Sequence, residues 1–345
     1  MLPTSPHSRG ASPGRPPSHA AAAQALSGTA SFAPAHPVLH AGRVAVITGA
    51  ASGIGAAAAR AFAQLGMRVA LADLPAAADA LAAVAAAVKA ELARRGVPAD
   101  EATKMVLVVP TDVTQLSQVV ALKDTVYDAW HEVGVLMNNA GISGALGGVQ
   151  GTSLDGLDAW HAVFNVNVFG VVNVQQVFVP AMLHQENPAM VINTGSKQGI
   201  TNPPGNTAYN ASKAAVKSLT EGLAHHLRTH AGAAGGGVSA HLFVPGYTFT
   251  GLTGATAGAA KPAAAWSAEE TVKHMLARVA AGDFYVLCPD GETGPEMDQL
   301  RVMWAAADVA QGRPALSRWH RDYKALFEEY MREGQALAAE GQLVL

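Results

Sequence analysis

Val44-Ala45-Val46-Ile47-Thr48-Gly49-Ala50-Ala51-Ser52-Gly53-Ile54-Gly55 decides the reading of this 345-residue chain. Its apolar, β-branched start has the length of one buried strand and runs straight into a glycine-rich turn. The turn opens a helix-compatible run at 56–65. Such a turn brings backbone N–H groups and the positive end of a helix dipole to a pyrophosphate. Glycine-rich strand-to-helix turns also arise for packing alone, so both readings stand at this point.

Outward from that turn, short apolar runs alternate with helix-length segments. Strands are expected at 44–48, 69–72, 105–109, 135–138, 190–194, 238–244 and 284–288. This alternation predicts an α/β fold: a Rossmann-type, doubly wound, seven-stranded parallel sheet covered on both faces, in a single domain. Helical spacing is seen at 76–95, 116–133, 154–183 and 207–228. The last is clearest, because Ala211, Ala215, Leu219, Leu223 and Leu227 recur every four residues with Val216 beside them. Residues 231–237 read as a turn and 254–265 as a mobile Gly/Ala-rich loop. After Cys288 the alternation stops, and 295–310 and 317–339 predict two helices with apolar faces, separated by Gly312 and Pro314. The expected division is a tail at 1–40, a Rossmann-type domain at 41–290 and a helical extension at 291–345.

Composition narrows the function classes. A net charge of −3 with 14% charged residues excludes a basic field for nucleic acid or an anionic membrane surface. No unbroken apolar run reaches the ~18 residues expected of a membrane span, so no membrane partner is expected. The single cysteine, Cys288, leaves no internal disulfide framework and suits a reducing, cytoplasmic setting. No metal site is expected. The first 42 residues hold seven of the 19 prolines and no acidic residue, the first being Asp73, so disorder is expected there. Arg9 and Arg15 make a poor cationic transit helix, and a dispensable tail is the preferred reading.

Asp73 closes the second strand, 18 residues after Gly55. A carboxylate there accepts hydrogen bonds from ribose hydroxyls and repels a 2′-phosphate, which favours NAD. Neither Ser52 nor Leu74 offers a cation for NADP. The competing role for Asp73 is a turn or helix cap.

Tyr209-Asn210-Ala211-Ser212-Lys213 opens the best-defined helix, and a spacing of four puts Tyr209 and Lys213 on one face. A free tyrosine has a pKa of about 10, so basic action near neutrality needs an adjacent cation to stabilise the phenolate. In the reverse direction the same hydroxyl protonates a developing alkoxide.

Taken together over roughly 41–290, these features resemble the short-chain dehydrogenase/reductase family. Matching motifs are the turn Thr48–Gly55, Asp112-Val113, Asn138-Asn139-Ala140-Gly141, Asn167, Ser196 and the Tyr209/Lys213 pair thirteen residues beyond that serine. The resemblance implies a nucleotide held by Thr48, Gly49, Ser52, Gly53, Ile54, Gly55 and Asp73. It implies that Asp112 and Val113 border the adenine and that Asn139 and Gly141 shape the wall beside the cofactor. Ser196 would hydrogen-bond the substrate oxygen, Lys213 would hold the nicotinamide ribose and lower the pKa of Tyr209, and Asn167 would anchor a water linking Lys213 to solvent. Pro245, Gly246, Thr248 and Thr250 would hold the nicotinamide end and phosphates, although Thr248 replaces the family's usual aliphatic residue. A homodimer or homotetramer is the family's habit.

The expected activity is hydride transfer between NAD and a secondary alcohol or ketone, with Tyr209 as acid/base and alcohol oxidation as the cellular direction. Alternatives are an NADPH-dependent ketone reductase, against which Asp73 argues, and a non-catalytic NAD-binding module. The intact Asn167, Ser196, Tyr209 and Lys213 set argues against the module. Substrate-pocket residues are expected from 142–149, 197–207 and 247–265. Lys197 and Gln198 either line that pocket or face solvent. The C-terminal helices cover the site, pack on the core or join subunits, with packing or subunit contact ranked above a lid.

Overall fold

The structure is a computed structural model that describes residues 36–144, 156–230, 237–255, 258–291 and 293–341. Most of the expected tail, the turn at 231–236 and parts of the loops at 145–149 and 256–257 lie outside the described residues.

Strand β1 (Val44–Thr48) is buried along its whole length, as expected of a central parallel strand. It leads into α1 (Gly53–Gln64), β2 (Arg68–Asp73), α2 (Ala78–Arg94), α3 (Ala99–Lys104), β3 (Val106–Pro110) and α4 (Leu116–Trp130). Then come β4 (Val135–Asn138), α5 (Leu157–Phe164), a π-helical turn (Asn165–Gly170), α6 (Val171–His184) and β5 (Ala189–Thr194). The remainder is α7 (Gln198–Thr201), α8 (Thr207–His230), β6 (Val238–Val244), α9 (Ala268–Ala280), β7 (Tyr285–Leu287), α10 (Pro295–Gln311) and α11 (Lys324–Ala339).

All seven strands pair in parallel, in the order β3-β2-β1-β4-β5-β6-β7. The chain reverses its winding between β1 and β4, which opens a crevice at the carboxyl ends of those strands. Alternation along β1 sends Ala45 and Ile47 into one core and Val44 and Val46 into the other. The first core holds Phe62, Leu81, Leu92 and Met275; the second holds Leu122, Val126, Phe178 and Met182. Burial of each such side chain contributes about 1.5–3 kcal/mol. The edge strands β3 and β7 are only half covered, as their places in the order require.

Several boundaries differ from expectation for local reasons. Val38 is 3% exposed and joins the first core, and the His36 ring accepts the N–H groups of Val38 and Leu39. Residues 36–40, inside the segment expected as tail, therefore belong to the fold. Helix α9 has a local start signal in the sequence beyond the expected elements: Ser267 and Glu270 form a capping box, and Thr271, Val272, Met275, Leu276 and Val279 are buried beyond it. The helical run from Leu157 to His184 is long and apolar enough by composition to cross a membrane. Here Val171, Val174, Phe178, Val179 and Met182 turn that apolar character into core packing.

The C-terminal helices pack on one another and on the body of the protein. Trp304 is 6% exposed, with Phe327 and Tyr330 rings at 5.3 and 5.2 Å and the Arg313 guanidinium 4.3 Å above it. Its indole N–H donates to Ser317 Oγ at 2.7 Å. Gly334 of α11 lies where a Cβ would strike Leu300 of α10, so glycine permits that close approach.

Candidate active site

The crevice at the winding reversal is a cleft of ≈ 540 Å³. Its floor is the glycine turn. Gly49 has φ +66, and a Cβ there would meet Ala140 Cα at 2.8 Å and N at 2.9 Å. Gly53 has φ +52 and opens α1, whose N-cap Ser52 makes no side-chain capping bond and whose first turn carries no acid. Gly49, Ser52, Gly53 and Ile54 line the cleft, leaving helix-terminal N–H groups for an anion. A dinucleotide pyrophosphate fits this cradle, because side chains are missing where its phosphates would lie.

Thr48 and Gly55 do not line the cleft, contrary to expectation. Thr48 is buried and its hydroxyl accepts Asn139 N–H at 3.0 Å and Ala140 N–H at 3.2 Å while lying 3.4 Å from Met137 O. It ties β1 to the turn after β4. Gly55 faces inward, where a Cβ would strike Gly49 O. Both residues shape the turn from behind.

Asp73 lines the cleft beside Leu74, and its carboxylate also serves the turn: Oδ2 accepts Ala51 N–H at 2.9 Å and Oδ1 accepts Leu74 N–H at 2.8 Å. A carboxylate has about four acceptor sites, so these two bonds leave capacity for ribose hydroxyls. Asp112 and Val113 also line the cleft; Asp112 Oδ1 caps its own turn through Thr114 N at 2.9 Å and Thr114 Oγ1 at 2.8 Å. Asn139 and Gly141 form the opposite wall, with Asn139 Nδ2 held by the carbonyls of Thr48 and Gly49, each at 3.2 Å.

At the deep end, β5 delivers Ser196 and α8 delivers Tyr209 and Lys213. Ser196 and Tyr209 both line this end of the cleft. Burial pushes the Tyr209 phenol up, and the neighbouring Ser196 hydroxyl opposes it. Lys213 is 4% exposed, donates to Thr194 O at 2.9 Å and lies 5.7 Å from the Tyr209 ring centroid. Burial pushes its ammonium down to about 8. The expected lowering of the Tyr209 pKa is therefore not a property of the chain alone, since burial outweighs the influence of Ser196.

Asn167 is fixed by three side-chain hydrogen bonds. Its Oδ1 accepts Ile142 N–H at 2.8 Å, and its Nδ2 donates to Ile142 O at 2.9 Å and Ser212 Oγ at 3.0 Å. Both amide protons are committed, so the side chain clamps the segment after Gly141 to α8. The π-helical turn that carries it is a feature that helical periodicity does not reveal.

Pro245, Gly246, Thr248 and Thr250 all line the cleft. The Thr248 hydroxyl turns inward to Thr271 Oγ1 at 3.0 Å, so only its backbone is available on the cleft side. Thr250 lies close to the glycine turn, its Cγ2 3.1 Å from where a Gly53 Cβ would stand. Lining residues that the sequence reading left unassigned include Thr111, Val166 and Thr194, brought in by tertiary contact. Lys197 and Gln198 line the cleft too, but the Lys197 ammonium is ion-paired with Asp290 and Asp298. Among the described residues there is no cluster of three or more His, Cys, Asp or Glu able to hold a metal.

The arrangement supplies an anion cradle, a ribose acceptor and, at the far end, a hydroxyl donor beside a phenol backed by an ammonium. Comparisons with known proteins agree with it. The sequence model of the short chain dehydrogenases matches residues 43–261. A 1-deoxy-11-beta-hydroxypentalenate dehydrogenase of Streptomyces exfoliatus is 33% identical over 281 residues, 80% of this chain and 94% of that protein. A 3-oxoacyl-[acyl-carrier-protein] reductase of Thermotoga maritima is 36% identical over 212 residues, 61% of this chain and 76% of that protein. The crystal structure of a short chain dehydrogenase/reductase from Burkholderia phymatum in complex with NAD superposes with a TM-score of 0.66 at 33% identity, covering 80% of this chain and 96% of that one.

Proposed function

This chain belongs to the short-chain dehydrogenase family, and from that premise we propose that it is an NAD-dependent oxidoreductase that interconverts a secondary alcohol and its ketone. The observation that carries the proposal is the meeting of Ser196, Tyr209 and Lys213 at the end of a cleft floored by the glycine turn, with the Lys213 ammonium 5.7 Å from the Tyr209 ring centroid. The nicotinamide, when bound, supplies the hydride acceptor. Ser196 donates to the substrate oxygen and holds it against Tyr209. The Tyr209 oxygen takes the hydroxyl proton as the alcohol is oxidised, and Lys213 stabilises the phenolate through its positive charge. In reduction the same proton returns to the developing alkoxide.

The preference for NAD rests on the Asp73 carboxylate beside Leu74, with no cation adjacent to it in sequence, and is supported by the NAD-bound Burkholderia relative. Likeness to a hydroxypentalenate dehydrogenase and to a 3beta-hydroxysteroid dehydrogenase of Eggerthella lenta, 33% identical over 217 residues, makes polycyclic secondary alcohols the first substrates to try. A cytoplasmic setting and a homodimer or homotetramer belong to the same proposal.

A screen for NADH formation across aliphatic, aromatic, polycyclic and polyol alcohols tests it. Turnover with NAD is the expected result. Binding of NAD without turnover of any member would favour the non-catalytic module, and a clear preference for NADPH would favour the ketone reductase.

A further inference from the structure

One polar cluster beside the cleft takes no part in the proton path. The Lys197 side chain, 18% exposed, places its ammonium 3.1 Å from Asp290 Oδ2 and 2.6 Å from Asp298 Oδ2. Asp290 lies just after β7; its Oδ2 also accepts Tyr247 N–H at 3.2 Å, and its Oδ1 accepts Thr293 N–H at 3.0 Å. Asp298 is 4% exposed in the first turn of α10. One ammonium thus joins three segments: the turn after β5 that carries Ser196, the turn after β6 that carries Gly246 and Tyr247, and the start of the C-terminal helix.

The fit is close. A Cβ on Gly246 would meet Pro289 O at 2.8 Å and Asp290 Oδ2 at 2.9 Å. Lys197 also starts α7, its carbonyl accepting Ile200 N–H and Thr201 N–H at 3.0 Å, while Gln198 N–H donates to Ser196 Oγ at 3.2 Å. Moving Lys197 therefore moves the serine bonded to it. A buried ion pair adds little net stability over an apolar packing, because desolvation offsets its attraction. Burial works against the Asp290 carboxylate, yet Lys197 and the N–H donors outweigh it and hold that carboxyl below its usual range. Burial raises the Asp298 carboxyl, against the pull of Lys197. Without the ammonium, two carboxylates would face each other and separate.

We infer that Lys197 is a positioning residue: through Asp290 and Asp298 it locks the Ser196 turn and the Tyr247 turn to the C-terminal helix, so that the C-terminal extension sets the geometry of the substrate end of the cleft. The inference rests on the oxidoreductase reading for its effect on turnover, while the lock itself is measurable without turnover.

The test compares wild type, Lys197→Met and Lys197→Arg in the full chain. In Lys197→Met, kcat should fall about ten-fold while the NADH dissociation constant stays within about two-fold, as expected when orientation and not cofactor binding is lost. Lys197→Arg keeps a cation able to bridge both carboxylates and should recover kcat to within about three-fold of wild type. Hydrogen exchange in the NAD-free protein should quicken in Lys197→Met at 196–201 and 245–248 and stay unchanged in β1 and β4. Unchanged kcat in a folded Lys197→Met, loss of NADH binding in parallel with kcat, or exchange unchanged at those two segments would each overturn the inference. If Lys197→Met does not fold, Asp298→Asn decides by the same measurements, unchanged kcat and exchange again counting against the lock. If the wild type turns over no alcohol, the oxidoreductase reading fails, and the exchange pattern alone decides whether Lys197 joins the segments.

Discussion

The Lys213 ammonium lies 5.7 Å from the Tyr209 ring and is anchored by the Thr194 carbonyl at 2.9 Å, so β5 and α8 together set the distance between the cation and the phenol. Burial acts on both groups against their charged forms, raising the phenol and lowering the ammonium. The site holds a cation that the fold, without nucleotide, disfavours.

From this follows a stability effect of Lys213. Its folded pKa, about 8, lies below the ordinary 10.5, so the protonated group opposes folding below pH 8. The penalty shrinks as pH rises from about 8 to 10.5, because the unfolded chain then binds more protons than the folded one. Lys213→Met should raise the Tm of NAD-free protein at pH 7, by at most about 3 kcal/mol of stability less the lost Thr194 bond, and should abolish turnover. Thermal melts at pH 7 and pH 10 check this: the variant's advantage should be large at the lower pH and small at the higher. An unchanged or lowered Tm at pH 7 would contradict it.

Tyr209→Phe should lower kcat by about 10²–10⁴-fold, the range for loss of general acid/base action. NADH binding followed by fluorescence should change little, because the ring and its packing remain. Full turnover in this variant would remove Tyr209 from the mechanism.

Asp73→Ser should reverse or erase the nucleotide preference, reducing kcat/KM for NAD by about ten-fold or more and raising it for NADP. It should also cost about 1 kcal/mol through the lost bond to Ala51 N–H. Steady-state titration with both nucleotides provides the check; a preserved NAD preference would show that the carboxylate serves only its turn.

Gly199→Ala probes a contact between α7 and α8. A Cβ on Gly199 would stand 2.5 Å from Lys213 C and 2.7 Å from Ala214 N, both backbone atoms. The variant should lose about 1–3 kcal/mol by overpacking and should lose turnover as Lys213 shifts. Equilibrium denaturation and kcat measured on the same preparation test both effects.

The sheet was readable because its signals are local. The apolar run at Val44–Thr48 and the four-residue spacing from Ala211 to Leu227 each record the burial of one face of one element, and all seven strands appear within two residues of their expected ends. The pairing of Tyr209 with Lys213 in the cleft was readable for the same reason, since the two share one face of one helix. The capping box of α9 was equally local and was passed over, whereas the π-helical turn at Asn167 has no sequence period to betray it.

What remained hidden depends on residues far apart in the chain. Thr48 matched a nucleotide-binding motif, yet its hydroxyl is turned to the N–H groups of Asn139 and Ala140, 91 and 92 residues away. Asn167 gives its amide to Ile142 and Ser212, and Lys197, which sequence left between pocket and solvent, meets Asp290 at a separation of 93 residues. Residue type and spacing along one element establish the fold, the glycine turn and the pairing of Tyr209 with Lys213, because helix and strand periodicity impose them locally. Which polar groups stay free to meet a ligand is settled only when distant segments converge, since a buried donor or acceptor must take whatever partner packing brings to it.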